Sequence, residues 1–509
     1  MYYFSERMIL LPIDKLLWIT VMATFLIKSL LAYIIPFTGD EALFYTWGTF
    51  PDIGYYDHPP MIGWLLALIM KFSACEYALR LPALIFPYIV GAVIYSLLKV
   101  LDKNRARWTV ILFLVSPLNM MNILVTTDTP LFLFVSLSAV CFYQGLHLNK
   151  RLHLILAGIF LGGAFLSKYF SALLIISYGV YVLIYQRNRR GFAALALVAA
   201  CTLPFVLLNV YYNYTHAWSN IMFNVFNRNH DMGSFTPGNF FVYLGQLLLL
   251  LTPFTIFFLF RSVKSARQFA AAEPLRRYYF VLCSVPLGIL ALLSFAKSIG
   301  IHWPLAFLPF VFILTIFYFN ATTFRKAALL VAVCTFGVNF LLAYMVINTP
   351  PKLTQSRAYQ QALFYVKPQA VADILNPYAK DYIFATESYS KSVLLYYYTG
   401  KYISVFGPGS FHARHDDMYT DFRQFDKKNI LILRTTPPDT NKYIPYFQSV
   451  SVKTIELENT TLYVVQGNAF KYDAYRELVL RPIKNNYYQI PAWLPTQDNY
   501  FIDKYFAEE

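Results

Sequence analysis

A mainly α-helical, multi-pass membrane protein with a small α/β domain at its C-terminal end is the fold class this sequence predicts. Three observations carry it. The chain is 58% hydrophobic and only 14% charged, against roughly half and about a quarter in an ordinary soluble domain. Its apolar residues collect, within the first 350 positions, in runs such as Leu16 to Phe37, Arg80 to Leu101 and Phe240 to Phe260, each about the length a bilayer core demands of a helix. From Thr349 the composition turns polar and mixed. The chain therefore divides into a membrane region, residues 1–348, and a second domain, residues 349–509.

The net charge of +15 would raise nucleic acid as a partner in a soluble protein. Its distribution argues against that, because residues 1–350 hold 24 Lys+Arg against 11 Asp+Glu and the remainder is nearly balanced. The basic residues fall between apolar runs, as Lys103/Arg105/Arg107, Lys150/Arg151, Arg187/Arg189/Arg190, Arg261/Lys264/Arg267 with Arg276/Arg277, and Arg325/Lys326. Short basic loops of this kind stay in the cytoplasm. With the N-terminus also inside, the spans become about 16–37, 80–101, 108–125, 130–148, 153–168, 170–186, 191–212, 240–260, 278–296, 303–320 and 327–347. About eleven spanning helices is an odd number, so residues 349–509 lie outside, in the periplasm of a bacterial inner membrane. Met61 to Phe72 is too short to span and reads as a segment along the interface. The first run has no small-residue cleavage site after it and reads as a retained span.

In the second domain the pattern alternates. Ser356 to Leu375 and Ser388 to Tyr398 read as helices; Tyr382 to Thr386, Tyr402 to Phe406 and Ile430 to Leu433 read as strands. Val450 to Leu457 and Leu462 to Gln466, joined across Glu458 to Thr461, read as a hairpin. Cys75, Cys141, Cys201, Cys283 and Cys334 show no CxxC or zinc spacing, and none follows residue 334, so this domain has no disulfide.

The same topology sorts the polar residues. Asp40, Glu41, Asp52, Asp57, Glu76, Asp128 and Asp231 all fall on the outer side, with Tyr55, Tyr56, His58, Lys168, Arg228, His230, Lys297 and His302. Asp40 and Glu41 follow the first span directly, where a carboxylate at the water–hydrocarbon boundary can acquire a general base's proton affinity. The competing reading makes Asp40 the cap of an interfacial helix. Asp128 stands before Pro130 at the start of a span, where capping is again the alternative. Lys168 follows a run with Gly158, Gly162 and Gly163, which let helices approach closely; it either snorkels or binds an anion. Outer cations run against the positive-inside bias, which favours an anion for Arg228 and Lys297. Tyr55, Tyr56 and Trp303 are substrate contacts or part of an aromatic belt.

Seven pieces of the chain, in order, resemble the GT-C superfamily, in the bacterial branch related to protein O-mannosyltransferases and to the lipid A aminoarabinose transferase. They are GDEALFYTWG, GYYDHPPMIGW, ALRLPAL, TTDTPLFLF, GGAFLSKYFSALL, the loop around FNRNH followed by GQLLLLLTPF, and KSIGIHWPL, and they cover about residues 38–310. ATESYSKSVLLYYYTGK and DMYTDFRQFDKKNILIL are similar to that branch's outer domain. The resemblance implies a polyprenyl-phosphate sugar donor, an outer-face active site and inverting transfer. It makes Asp40 the catalytic aspartate, supported by Glu41, and Asp128 the second outer acid. Lys168, Arg228, Lys297, His58 and His302 would stand near the donor phosphate, and Tyr55, Tyr56, Asp57 and Trp303 near the substrates. Where the aminoarabinose transferase has a lysine before proline, this chain has His58-Pro59, so phosphate binding there would depend on protonation.

The chemistry of the residues agrees with one base and several cations. A single inverting displacement needs one carboxylate to take the acceptor's proton, whereas a glycosidase needs a second group as acid. A phosphate leaves as a stabilised anion and calls for positive charge instead. The acceptor is lipid A, another envelope glycan or a protein, with the lipid-linked glycan favoured by the resemblance. Membrane lipids are partners and nucleic acid is not. No cofactor follows from the residues, and a divalent cation is left open. A transporter or flippase of lipid-linked sugars is the competing function, but repeat halves and mid-span charges, the usual marks of one, are not evident.

Overall fold

The computed structural model of the chain describes residues 12–226, 235–262, 271–348, 356–409, 415–497 and 499–507. Every predicted span falls on helix. In order these are α1 (Ile13–Ile34), α2 (Gly39–Thr49), α3 (Met61–Met70), α4 (Glu76–Leu98), α5 (Lys103–Val115), α6 (Pro117–Met120), α7 (Asp128–Leu148), α8 (Arg151–Ser167), α9 (Ala172–Tyr185) and α10 (Arg189–Thr215). After the short α11 (Ser219–Ile221) come α12 (Pro237–Leu251), α13 (Pro253–Ser262), α14 (Glu273–Ser294), α15 (Leu308–Tyr318) and α16 (Ala321–Ile347). Side chains mark several of the starts: Asp102, Asn188 and Asn320 accept backbone N–H groups of the turns they precede, relieving donors that a helix N-terminus leaves unpaired.

The expected eleven spans are not equally long. Among the described residues, six helices have the length and apolarity to cross a membrane, and the pair α12 and α13 makes a possible seventh, broken by an 87° bend. The bend sits at Thr252, which takes a positive φ of 63° before Pro253, whose ring disfavours helical backbone at the preceding residue. The expected spans at 108–125, 153–168, 170–186 and 303–320 fall on shorter helices. Eleven residues of α15 rise only about 16 Å against a hydrocarbon core of about 30 Å. Ten of those eleven are buried, so protein rather than lipid shields its ends.

Close packing of the bundle uses the predicted glycines. A Cβ on Gly158 would lie 2.5 Å from Cys201 Cβ, and one on Gly162 2.2 Å from the Phe205 ring, so α8 and α10 meet where no side chain fits. An unforeseen staple lies deeper. Pro87 has no N–H for the carbonyl of Ala83; the fully buried Lys28 donates to it instead at 3.2 Å, and to Asn119 Oδ1 at 3.0 Å. Lys28 thereby joins α1, α4 and the α5–α6 break.

The C-terminal region is a five-stranded mixed sheet with helices around it. Its strands are β1 (Ile383–Thr386), β2 (Ser404–Val405), β3 (Ile430–Arg434), β4 (Phe447–Leu457) and β5 (Thr460–Phe470), in the order β2-β1-β3-β5-β4. β1 runs parallel to both neighbours, and β5 antiparallel to β3 and β4. The predicted hairpin is β4–β5, with Leu457 paired to Thr460. Glu458 and Asn459 both take positive φ, as a two-residue hairpin turn requires. The helix predicted over Ser356 to Leu375 is two, Arg357–Val366 and Pro368–Asp373, because Pro368 begins a new helix. The boundary drawn at 348 and 349 falls at the edge of residues 349–355, outside those described.

This region is seated on the end of the bundle that carries α2. Tyr397 and Tyr398 donate to Ala74 O at 3.0 Å and Glu76 Oε1 at 2.5 Å. The Tyr56 N–H reaches His415 Nδ1 at 3.4 Å. The charged pairs Asp14–Arg107 and Asp102–Arg105 lie toward the other ends of α1 and α4.

Candidate functional site

The site begins with how α2 starts. Thr38 is its cap: Thr38 Oγ1 accepts the Glu41 N–H at 3.3 Å while Glu41 Oε2 accepts the Thr38 N–H at 3.1 Å. This reciprocal box satisfies the helix end, so Asp40 is not the cap. Glu41 is wholly buried and bound on both oxygens. Arg80 donates Nε to Oε1 at 2.8 Å and Nη2 to Oε2 at 2.7 Å, and the Val125 N–H adds a bond to Oε1 at 3.1 Å. The remaining Arg80 donors reach the carbonyls of Ala32, Ile35 and Pro36. One ion pair therefore ties together the end of α1, the start of α2, α4 and the segment leading to Asp128.

Asp40 is left over from this arrangement. Among the described residues its carboxylate makes no hydrogen bond or ion pair, and it opens into a cavity of about 510 Å³, a volume within the range of small-molecule sites. The cavity walls displace bulk water around the carboxyl and raise its pKa above the ordinary carboxylate range, and the adjacent Glu41 charge adds to this.

Asp128 lines the same cavity and does not cap its helix either. Lys168 Nζ donates to both its oxygens, at 2.9 and 2.7 Å, and both side chains are buried. Lys168 stands in extended backbone between α8 and a 3-10 turn, Tyr169–Ser171, which turns its ammonium inward rather than toward a lipid headgroup.

The loop after α2 adds Tyr56, Asp57 and His58 to the wall, and the loop after α14 adds His302. Two asparagines brace the first of these loops: the buried Asn220 donates Nδ2 to Tyr55 O at 2.8 Å and the half-buried Asn224 donates Nδ2 to Asp57 O at 3.0 Å. His415 helps from the C-terminal region. Burial pushes its pKa down to about 3, so Nδ1 stays free to accept the Tyr56 N–H.

The structure brings Asp40, Tyr56, Asp57, His58, Asp128, Lys168 and His302 to one cavity. Glu41 lies behind it, bound to Arg80. Tyr55 lies behind it too, stacked 4.2 Å from Trp47 and donating to Trp47 O at 2.8 Å. Trp303 packs on Phe170 at 4.6 Å, and neither it nor Lys297 lines the cavity. Arg228, His230 and Asp231 lie outside the described residues. No group of three or more metal-ligating side chains occurs among the described residues. Sequence reasoning missed the role of Arg80, although an arginine opening an apolar run next to an outer acid is a usable signal. Tyr389 of the C-terminal region also lines the cavity; nothing in its local sequence marks it.

Comparison with known proteins bears on the fold and on the family resemblance. Residues 57–212 match the family model described as dolichyl-phosphate-mannose-protein mannosyltransferase. The lipid A galacturonosyltransferase RgtD of Rhizobium johnstonii is 25% identical over 183 residues, covering 35% of this chain and 38% of that relative's length. The match thus spans well under half of the relative. The crystal structure of ArnT from Cupriavidus metallidurans in the apo state superposes with a TM-score of 0.62 at 16% identity, over 89% of this chain and 98% of that one. The same enzyme bound to undecaprenyl phosphate gives 0.59 at 16% identity, over 88% and 97%. The chain shares the fold of these ArnT structures, and the family-model and relative matches agree with the resemblance read from its motifs.

Proposed function

We propose that this chain is an inverting glycosyltransferase that moves a sugar from a polyprenyl-phosphate carrier to lipid A or a related envelope glycan at the periplasmic face of the inner membrane. The observation that carries this reading is one cavity holding a carboxylate of raised proton affinity, unpaired among the described residues, together with a buried lysine–aspartate pair. Asp40 takes the proton of an acceptor hydroxyl. The acceptor oxygen attacks the anomeric carbon, the bond from that carbon to the phosphate oxygen breaks, and the phosphate departs with the electron pair. Lys168 faces the charge that develops there, with His58, His302 and Arg228 as further candidate donor contacts. Leu118, Met121, Leu124, Leu250, Ile301 and Leu305 form an apolar wall suited to the first isoprene units. The ArnT complex with undecaprenyl phosphate and the lipid A named for RgtD support donor and acceptor classes of this kind. Mass spectrometry of lipid A and glycoproteins from a deletion strain tests the reading: loss of a sugar from lipid A is expected, and an unchanged envelope would refute it.

Two further results are expected. Lys168→Ala should weaken undecaprenyl phosphate binding by about tenfold or more. Asp128→Asn, which removes the carboxylate charge facing Lys168, should bind it at least as well as wild type and lose less transfer than a change at Asp40. Unaltered binding in Lys168→Ala would remove the donor-side assignment. A C-terminal alkaline phosphatase fusion should be active, because the C-terminal region shares the end of the bundle that carries Asp40 and the basic loops argue for the opposite end in the cytoplasm. An inactive phosphatase with an active cytoplasmic reporter would invert the topology.

A further inference from the structure

Tyr389 is, among the described residues, the contribution of the C-terminal region to the wall of the main cavity. It is the first residue of the helix Tyr389–Thr399, and that helix abuts the first turn of α2. A Cβ built on Gly39, next to Asp40, would lie 3.1 Å from Ser390 Cβ and 3.2 Å from the Tyr365 ring. The two helix starts therefore meet beside the catalytic carboxylate, and the lack of a side chain at Gly39 permits it.

Tyr389, Leu43 and Tyr56 also line a second, smaller cavity of about 30 Å³, against Trp47, Tyr402, His415 and Tyr419. Tyr389 is thus part of a partition whose far side rests on the aromatic seam between the two regions. Its backbone is fixed by hydroxyls outside the cavity lining: Tyr365 Oη lies 2.9 Å from Ser390 Oγ, and Ser390 Oγ 3.1 Å from Ser388 Oγ. A half-buried aromatic ring on a cavity wall matches the apolar face of C–H bonds that a sugar ring presents.

The donor is assigned to the other wall. Lys168, Asp128 and the apolar side chains from α6, α12 and the loop before α15 come from the bundle, where a carrier lipid can reach them. An acceptor has to approach Asp40 from outside the bundle, past Tyr389. We infer that Tyr389 is an acceptor-specificity residue, its ring packing on the saccharide whose hydroxyl Asp40 deprotonates. The inference rests on the glycosyltransferase reading above. It makes the C-terminal region part of the substrate site.

The test compares two probes on the full-length protein in detergent: undecaprenyl phosphate for the donor side and lipid A for the acceptor side. Tyr389→Ala should raise the lipid A Kd by about tenfold or more and leave the undecaprenyl phosphate Kd within about twofold, while Tyr389→Phe, which keeps the ring, should resemble wild type. Equal loss for both probes, loss for the donor probe alone, no change for either, or a wild type that binds only the donor probe would overturn the inference. A wild type that binds no undecaprenyl phosphate would instead sink the glycosyltransferase reading itself.

Discussion

Asp40→Asn is expected to lower sugar transfer by about 10²-fold or more while the protein still folds and still binds the carrier. The substitution preserves size and one hydrogen-bonding oxygen but removes the basic site, and a positioned general base contributes about 10²–10⁴ in rate. Folding should be spared, because the capping of α2 is carried by Thr38 and Glu41 and not by Asp40. The raised pKa of Asp40 gives a second readout with a definite sign. The base works only when deprotonated, so wild-type activity should fall as pH drops through a value above the ordinary carboxylate range. The residual activity of the variant should lack that limb. Purified, folded Asp40→Asn with near wild-type transfer, alongside an inactive Asp128→Asn, would reverse the roles of the two acids.

Breaking the Glu41–Arg80 pair should have the largest effect on stability. Both partners are fully buried, and removal of one leaves the other's charge without a counter-ion in a low-dielectric site, a change that typically costs about 3–5 kcal/mol. Arg80→Met should therefore lower the thermal unfolding temperature in detergent far more than Lys168→Ala, which acts at the cavity wall. The double variant Glu41→Leu/Arg80→Met should recover part of the loss, since no isolated charge remains. Because the pair also binds the Val125 N–H and three carbonyls at the end of α1, whatever folded protein remains should transfer sugar poorly even with Asp40 intact. A melting temperature for Arg80→Met equal to that of wild type would show that the pair is dispensable.

Much of this architecture is legible in the sequence. Apolar run lengths located the long helices of the bundle, and the glycines of α8 marked a close approach that the packing of Phe205 and Cys201 bears out. Two strand-like runs joined across Glu458 to Thr461 marked the hairpin, whose turn the structure narrows to Glu458 and Asn459. These are local properties: backbone dihedrals, capping and hydrophobic periodicity depend on residues within one turn or one strand pair. They also brought Asp40, Asp128 and Lys168 forward as site candidates from motif order, although the assignment of a role to each is a proposal that awaits the experiments above.

What only the tertiary structure decided is which polar groups are left unpaired. Glu41 and Asp40 are adjacent and read alike in the sequence. Glu41 meets Arg80, 39 residues away, and is consumed by structure, whereas Asp40 turns into the cavity. Lys168 reads as a lysine that either snorkels or binds an anion, yet Asp128, 40 residues away, holds it buried. Tyr389 carries no local mark and comes to the cavity because a separate sheet is seated on the helix that carries Asp40. The span lengths follow the same logic, since α15 can be short only because its neighbours cover its ends. Desolvation and partner choice depend on what the whole fold brings within a few ångströms of a charge, and a linear sequence does not state those distances.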